Sequence, residues 1–322
     1  MGAAIEKTLI FPAPQPTGEC SSLIWDEQPS STPGGGEKRP FVWIPALQDG
    51  SLTIIHFHAN AEDLMLIEDH LRRLSVELCA NILGVEYPGY GPMHSQGSPT
   101  TASIDAAASH ALQYIVLAQG IPPAQVLLYG RSLGCGPALR LARRARDLFR
   151  WGICGLVLQS PFISVKQLAI DYVGRAGALL VPECYDNLTE LQQLCRTRPS
   201  AQCAVGQWIP MLFVHGKKDS VVQFYHSEAL HRAARHNGHP SAELALCEEA
   251  THDYWDMQAD LVMPITEFLR RHPGPRVKDA KVMPRDLNCA NIMCSMASCK
   301  GERADSASLV PGNGSFSRIL GF

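Results

Sequence analysis

Apolar residues along this chain fall into two alternating rhythms. Continuous apolar runs at 52–57, 81–85, 126–129, 153–158, 211–214 and 243–247 have the length of strands. Their aliphatic, often β-branched character suits strands covered on both faces. Longer stretches of helical period lie between and after them, at 62–78, 103–118, 132–149, 224–236 and 254–271. In the first of these Leu64, Ile67, Leu71, Leu74 and Leu78 recur at three- and four-residue intervals, which forms one stripe for docking on a sheet. The alternation predicts βαβ units, and so an α/β fold with a mostly parallel central sheet and helices on both faces.

Where the rhythm fails, the chain is punctuated. Prolines, serines and the Gly34-Gly35-Gly36 run mark 1–40 as an irregular lead-in to a packed domain over 41–272. The interval 164–209 is longer than a simple crossover and holds an apolar patch at 176–181, so it reads either as a small lid or as a plain excursion. From 273 to 322 no period is sustained, and a largely disordered tail is expected.

Composition narrows the class. A chain of 322 residues can bury a large core without disulfides or metals. The net charge of −3 and scattered basic residues argue against a nucleic-acid partner, and Arg140, Arg143, Arg144 and Arg146 on one helix read as a solvated face. The eleven cysteines are odd in number and form no Cys-x-x-Cys pair, the usage of reduced thiols in the cytosol. No apolar run approaches the roughly 18 residues that span a bilayer. The start of the chain carries Glu6 and Lys7 where a signal peptide needs apolar length. The expected location is cytoplasmic. Cys289, Cys294 and Cys299 in the tail are either idle or acylated, the latter giving peripheral membrane contact.

The chemistry begins at Gly130-Arg131-Ser132-Leu133-Gly134, a Gly-x-Ser-x-Gly run set between a strand and a helix. A serine hydroxyl is a weak nucleophile and needs an imidazole to take its proton and a carboxylate to orient that imidazole. Asp219 follows the strand at 211–214, and His252 stands in the loop after the last strand. Both lie past strand ends, where open α/β sheets place functional groups, and in the order Ser, acid, His. Twelve histidines make selection necessary. His231, His236 and His239 read as solvated, and His110 and His226 lack a partner pattern. The oxyanion donors are expected to be the backbone N–H groups of Leu133 and Asn60, with Ala59 and Ala61 as neighbours of the latter. His56 and His58 share a strand face but have no third ligand at a sensible spacing, so no metal is expected. No phosphate-cradling glycine motif is present, and the chemistry is expected to need no cofactor.

Taken together, His58-Ala59-Asn60-Ala61-Glu62-Asp63-Leu64, Glu86-Tyr87-Pro88-Gly89-Tyr90-Gly91, the elbow at Ser132, His215-Gly216-Lys217-Lys218-Asp219 and Thr251-His252-Asp253 resemble the α/β-hydrolase superfamily. More closely they are similar to the α/β-hydrolase domain-containing protein 17 group. That resemblance implies a serine hydrolase of esters or thioesters, with palmitate removed from S-palmitoylated proteins as the implied activity. A peptidase, a lipase or esterase, or an idle scaffold of the same fold are the alternatives. The chain departs from the group's pattern at Ala59 and Thr251, where the group carries glycine, and in having only Cys20 near its amino end.

Overall fold

The computed structural model describes residues 10–27, 38–47, 52–148, 152–196 and 208–273. Eight strands form one sheet in the order β1-β2-β4-β3-β5-β6-β7-β8. They are β1 (Leu23–Glu27), β2 (Lys38–Ile44), β3 (Thr53–Phe57), β4 (Asn81–Val85), β5 (Val126–Arg131), β6 (Gly155–Gln159), β7 (Met211–Gly216) and β8 (Ala242–Cys247). β1, β2 and β4 pair antiparallel, while β3 runs parallel to β4 and the ladder from β3 through β8 is parallel.

The apolar runs form these inner strands because both faces are covered, as every residue of β3, β6 and β7 is buried. One apolar layer packs the sheet against α2 (Thr101–Gln113), α3 (Cys135–Leu148), α5 (Asn187–Arg196) and α6 (Tyr225–His236). The other packs it against α1 (Leu64–Leu78) and the final helix, here called α7 (Met263–Arg271). The stripe Leu64, Ile67, Leu71 and Leu74 is buried in that second layer, as its spacing predicts. α1 starts where Asp63 caps it, accepting the Leu66 N–H.

Three expectations need correction. The lead-in over 1–40 contains β1 and the first residues of β2, and Ile10 and Phe11 are buried in the core. These segments lie at the sheet edge, where one-sided burial leaves a mixed polar pattern instead of an apolar run. The arginines of α3 are not a solvated face. Arg140 and Arg144 pair with the buried Asp105 of α2, Arg140 and Arg143 pair with Glu190 of α5, and Arg146 donates to the Leu194 carbonyl. His239 is buried against Trp208 rather than solvated.

The interval 164–209 holds α4 (Val165–Ala178) and α5. The hydroxyl of Tyr172 on α4 donates to the carbonyls of Ser220 and Val221, at 3.2 and 2.6 Å. Asp171, next to it, accepts from Tyr225 Oη at 2.6 Å and His226 Nε2 at 2.9 Å. α4 is therefore tied to the loop that carries Asp219. The Gly34-Gly35-Gly36 run, Phe149 and the tail with Cys289, Cys294 and Cys299 lie outside the described residues. No helix among the described residues is long and apolar enough to cross a membrane.

Candidate active site

Strand β5 ends at Arg131, and Ser132–Leu133–Gly134 form one 3₁₀ turn before α3. Ser132 has φ of 51°, a left-handed conformation that a non-glycine residue holds only under constraint. The flanking glycines allow it. A Cβ on Gly134 would sit 2.1 Å from the Phe57 carbonyl oxygen, and one on Gly130 would sit 2.4 Å from the Gly134 carbonyl oxygen.

The structure brings Ser132, His252 and Asp219 together although 33 and 120 positions separate the bonded pairs. His252 Nε2 lies 3.1 Å from Ser132 Oγ, and Nδ1 lies 2.8 Å from Asp219 Oδ2. Asp219 ionised is an acceptor only, so Nδ1 carries the proton and Nε2 is free to accept from the serine hydroxyl. Ser132 and His252 are buried but reach the cleft, and Asp219 lies behind them at 5% exposure.

Asp219 is held ionised by its neighbours. Burial pushes its carboxyl up, but hydrogen bonds from His215, from His252 and from the Val222 N–H outweigh it and hold the group well below the usual carboxylate range. Oδ1 accepts from the N–H groups of Val221 and Val222 at 2.9 and 2.8 Å. Oδ2 also accepts from Ser160 Oγ at 2.9 Å. Ser160 follows β6, has φ of 48° and was not singled out from the sequence, although its place just past a strand end was a usable signal.

Leu133 and Asn60 both line the cleft beside Ser132. Neither backbone N–H is hydrogen-bonded among the described residues. For Leu133 the reason is its place at a helix start, where the first N–H groups have no partner within the helix and the dipole favours negative charge. Asn60 is fixed through its side chain: Nδ2 donates to the Ile10 carbonyl at 2.8 Å, and Oδ1 accepts from Tyr90 Oη at 2.7 Å. The Ala59 N–H is already taken by Glu62 Oε2 at 2.8 Å. Positive φ falls at Ala61 (58°) and not at Ala59, so the methyl group that departs from the glycine pattern sits on unstrained backbone. At the other departure the Thr251 hydroxyl accepts the Tyr254 N–H at 3.0 Å and stiffens the turn after His252. His58 is not exposed to a ligand: it is fully buried between the Ala59 carbonyl and Glu86, and burial alone would lower its pKa, but the Glu86 contact raises it. His56 stacks on Tyr129.

Above the serine lies a cleft of about 240 Å³. Its walls include Ile10, Leu66, Phe162, Val165, Leu168 and Val222, so it offers a bound group mainly apolar surface, with Asn60, Glu62, Ser132, His252 and Asp253 as the polar lining. Val165 and Leu168 come from α4, so that helix supplies part of the cleft wall.

A parallel-ordered sheet with these three side chains past its strand ends defines an α/β hydrolase. Residues 108–275, more than half of the chain, match the model of the prolyl oligopeptidase family. The chain belongs to that family. It is 28% identical over 236 residues to the α/β hydrolase domain-containing protein aho-3 of Caenorhabditis elegans, covering 69% of this chain and 64% of that protein. It is 25% identical over 195 residues to human α/β hydrolase domain-containing protein 17B, covering 61% and 59%. The chain thus spans less than two thirds of the length of these curated relatives. Among solved structures, the Pyrococcus furiosus esterase Pf2001 superposes with a TM-score of 0.59 at 16% identity, covering 82% of this chain and 99% of that one. An esterase of the bacterial hormone-sensitive lipase family superposes with a TM-score of 0.52 at 17% identity, covering 80% and 87%. These likenesses share the fold.

Proposed function

We propose that this protein is a serine hydrolase that cleaves an ester or thioester through an acyl-enzyme. The observation that carries the reading is the continuous Ser132–His252–Asp219 hydrogen-bonded chain at the floor of an apolar cleft. Ser132 Oγ attacks the acyl carbonyl as His252 Nε2 takes its proton, and the N–H groups of Leu133 and Asn60 receive the charge on the carbonyl oxygen. His252 then returns the proton to the leaving thiolate or alkoxide. Water attacks the acyl-serine by the same route in reverse, which restores Ser132 and releases the acid.

The apolar walls and the likeness to the protein 17 group favour a long acyl chain, and S-palmitoylated proteins are the proposed substrates. Acylation of Cys289, Cys294 or Cys299 is the proposed means of bringing the enzyme to such substrates at a membrane. The family match favours a peptidase as the second reading, which a peptide anilide cleaved faster than a palmitoyl thioester supports.

A fluorophosphonate probe is expected to label the protein and Ser132→Ala to abolish both labelling and thioester hydrolysis. Labelling that survives the substitution overturns the assignment.

A further inference from the structure

One guanidinium joins the segments that meet at the cleft. Arg131, the last residue of β5, pairs through Nη1 with Glu62 Oε1. Its Nη2 donates to the His252 carbonyl at 3.0 Å and to Asp253 Oδ1 at 3.0 Å. The other oxygen of Glu62 accepts the Ala59 N–H at 2.8 Å. A continuous path therefore runs from the backbone of the base, through the residue before the nucleophile, to the turn that carries Asn60.

An ion pair in open water contributes little, and the contact with Asp253, 85% exposed, belongs to that class. The Arg131–Glu62 pair differs, with side chains only 13% and 16% exposed. A guanidinium also donates in fixed directions, which sets geometry where a flexible ammonium would not. Glu62 has a second effect. By occupying the Ala59 N–H it anchors one end of the turn and leaves the next N–H, that of Asn60, without a competing acceptor.

We propose that Arg131 and Glu62 act as one positioning clamp that sets the separation between the oxyanion donor of Asn60 and the imidazole of His252. The proposal rests on the serine-hydrolase reading and adds two residues that touch no reacting atom, Arg131 from behind the nucleophile and Glu62 from the rim of the cleft. The clamp acts on the transition state and not on acyl-chain binding, so its loss lowers kcat and leaves KM nearly unchanged.

The experiment compares thioester hydrolysis and the rate of fluorophosphonate labelling in the full chain for Arg131→Gln, Arg131→Lys, Glu62→Gln and the double Gln variant. Misplacement of reacting groups by about an ångström costs up to about 100-fold, so each single Gln variant is expected to lose about 10- to 100-fold in kcat. The double variant is expected to lose no more than the worse single variant, because both remove the same unit. Arg131→Lys is expected to recover part of the loss, since an ammonium still pairs with Glu62 but does not span to the His252 carbonyl as well. Multiplied losses in the double variant, an effect on KM alone, or full activity in the single variants overturns the clamp. Should thermal denaturation show Arg131→Gln to be unfolded, Glu62→Gln decides, because its amide keeps the shape and the acceptor for Ala59. An unlabelled wild-type protein removes the serine-hydrolase reading and the clamp with it, whereas labelled wild type with undiminished variants removes the clamp alone.

Discussion

At the residue scale the site is a set of oriented dipoles around one carboxylate. Asp219 takes bonds from Val221, Val222, His252 and Ser160, and its ionised state fixes which nitrogen of His252 holds the proton. Replacing it by Asn leaves the shape but favours the wrong tautomer, and kcat is expected to fall about 10⁴-fold. Ser160→Ala removes one of several donors to the carboxylate and is expected to cost about 10- to 100-fold, since a hydrogen bond to a charged group contributes roughly 1.5–3 kcal/mol. Steady-state kinetics on one thioester substrate, run on both variants, checks the ranking. Equal losses would mean that Ser160 does more than hold the carboxylate. Ser132, Asp219 and His252 could be singled out from the sequence because each stands past an apolar run in a fixed order, and the structure joins them by hydrogen bonds. The roles of Glu62 and Arg131 were not legible, because no fixed order of motifs ties one to the other across 69 positions, and Ser160 offered only its place past a strand end, with nothing local pointing to Asp219 59 positions on.

At the element scale α4 and its anchor shape one wall of the cleft. His226 on α6 accepts the Ile163 N–H at Nδ1 and donates from Nε2 to Asp171, a role only the neutral ring can fill. Burial lowers its pKa to about 4, against the pull of Asp171. A base whose folded pKa lies below its unfolded value of about 6.5 contributes stability that is complete above that value and is lost as pH falls toward 4. The loss is of order 3 kcal/mol, and thermal melts from pH 7 to pH 4 are expected to show a steeper decline in wild type than in His226→Asn. Asp105 works in the opposite sense. Burial outweighs Arg140 and Arg144 and lifts its carboxyl to about 6, so its protonation favours the folded state as pH falls from 6 to 4. A pH series on Asp105→Asn separates the contributions, since that variant lacks the gain. The inner strands were legible because burial on both faces leaves continuous apolar runs. β1 was hidden because alternate residues face solvent, Trp25 among them at 45% exposure.

At the scale of the molecule the N-terminal stretch is a strap across the site. Ile10 forms part of the cleft wall and its carbonyl takes the Asn60 side chain. The Pro14 carbonyl accepts the Gly91 N–H, and Thr17 donates from N and Oγ1 to Asp63 at 2.8 and 2.6 Å. Composition alone concealed this, because a proline-rich segment without period packs only where a partner surface exists. Ile10→Ala is expected to widen the cleft and shift the preferred acyl chain toward greater length, which a chain-length series of acyl thioesters would measure. An unchanged profile would mean that the acyl group lies elsewhere. The strap also couples the segment that starts at Ile10 mechanically to the site. A load applied through the amino end passes from Ile10 to Asn60 and so to the turn beside Ser132.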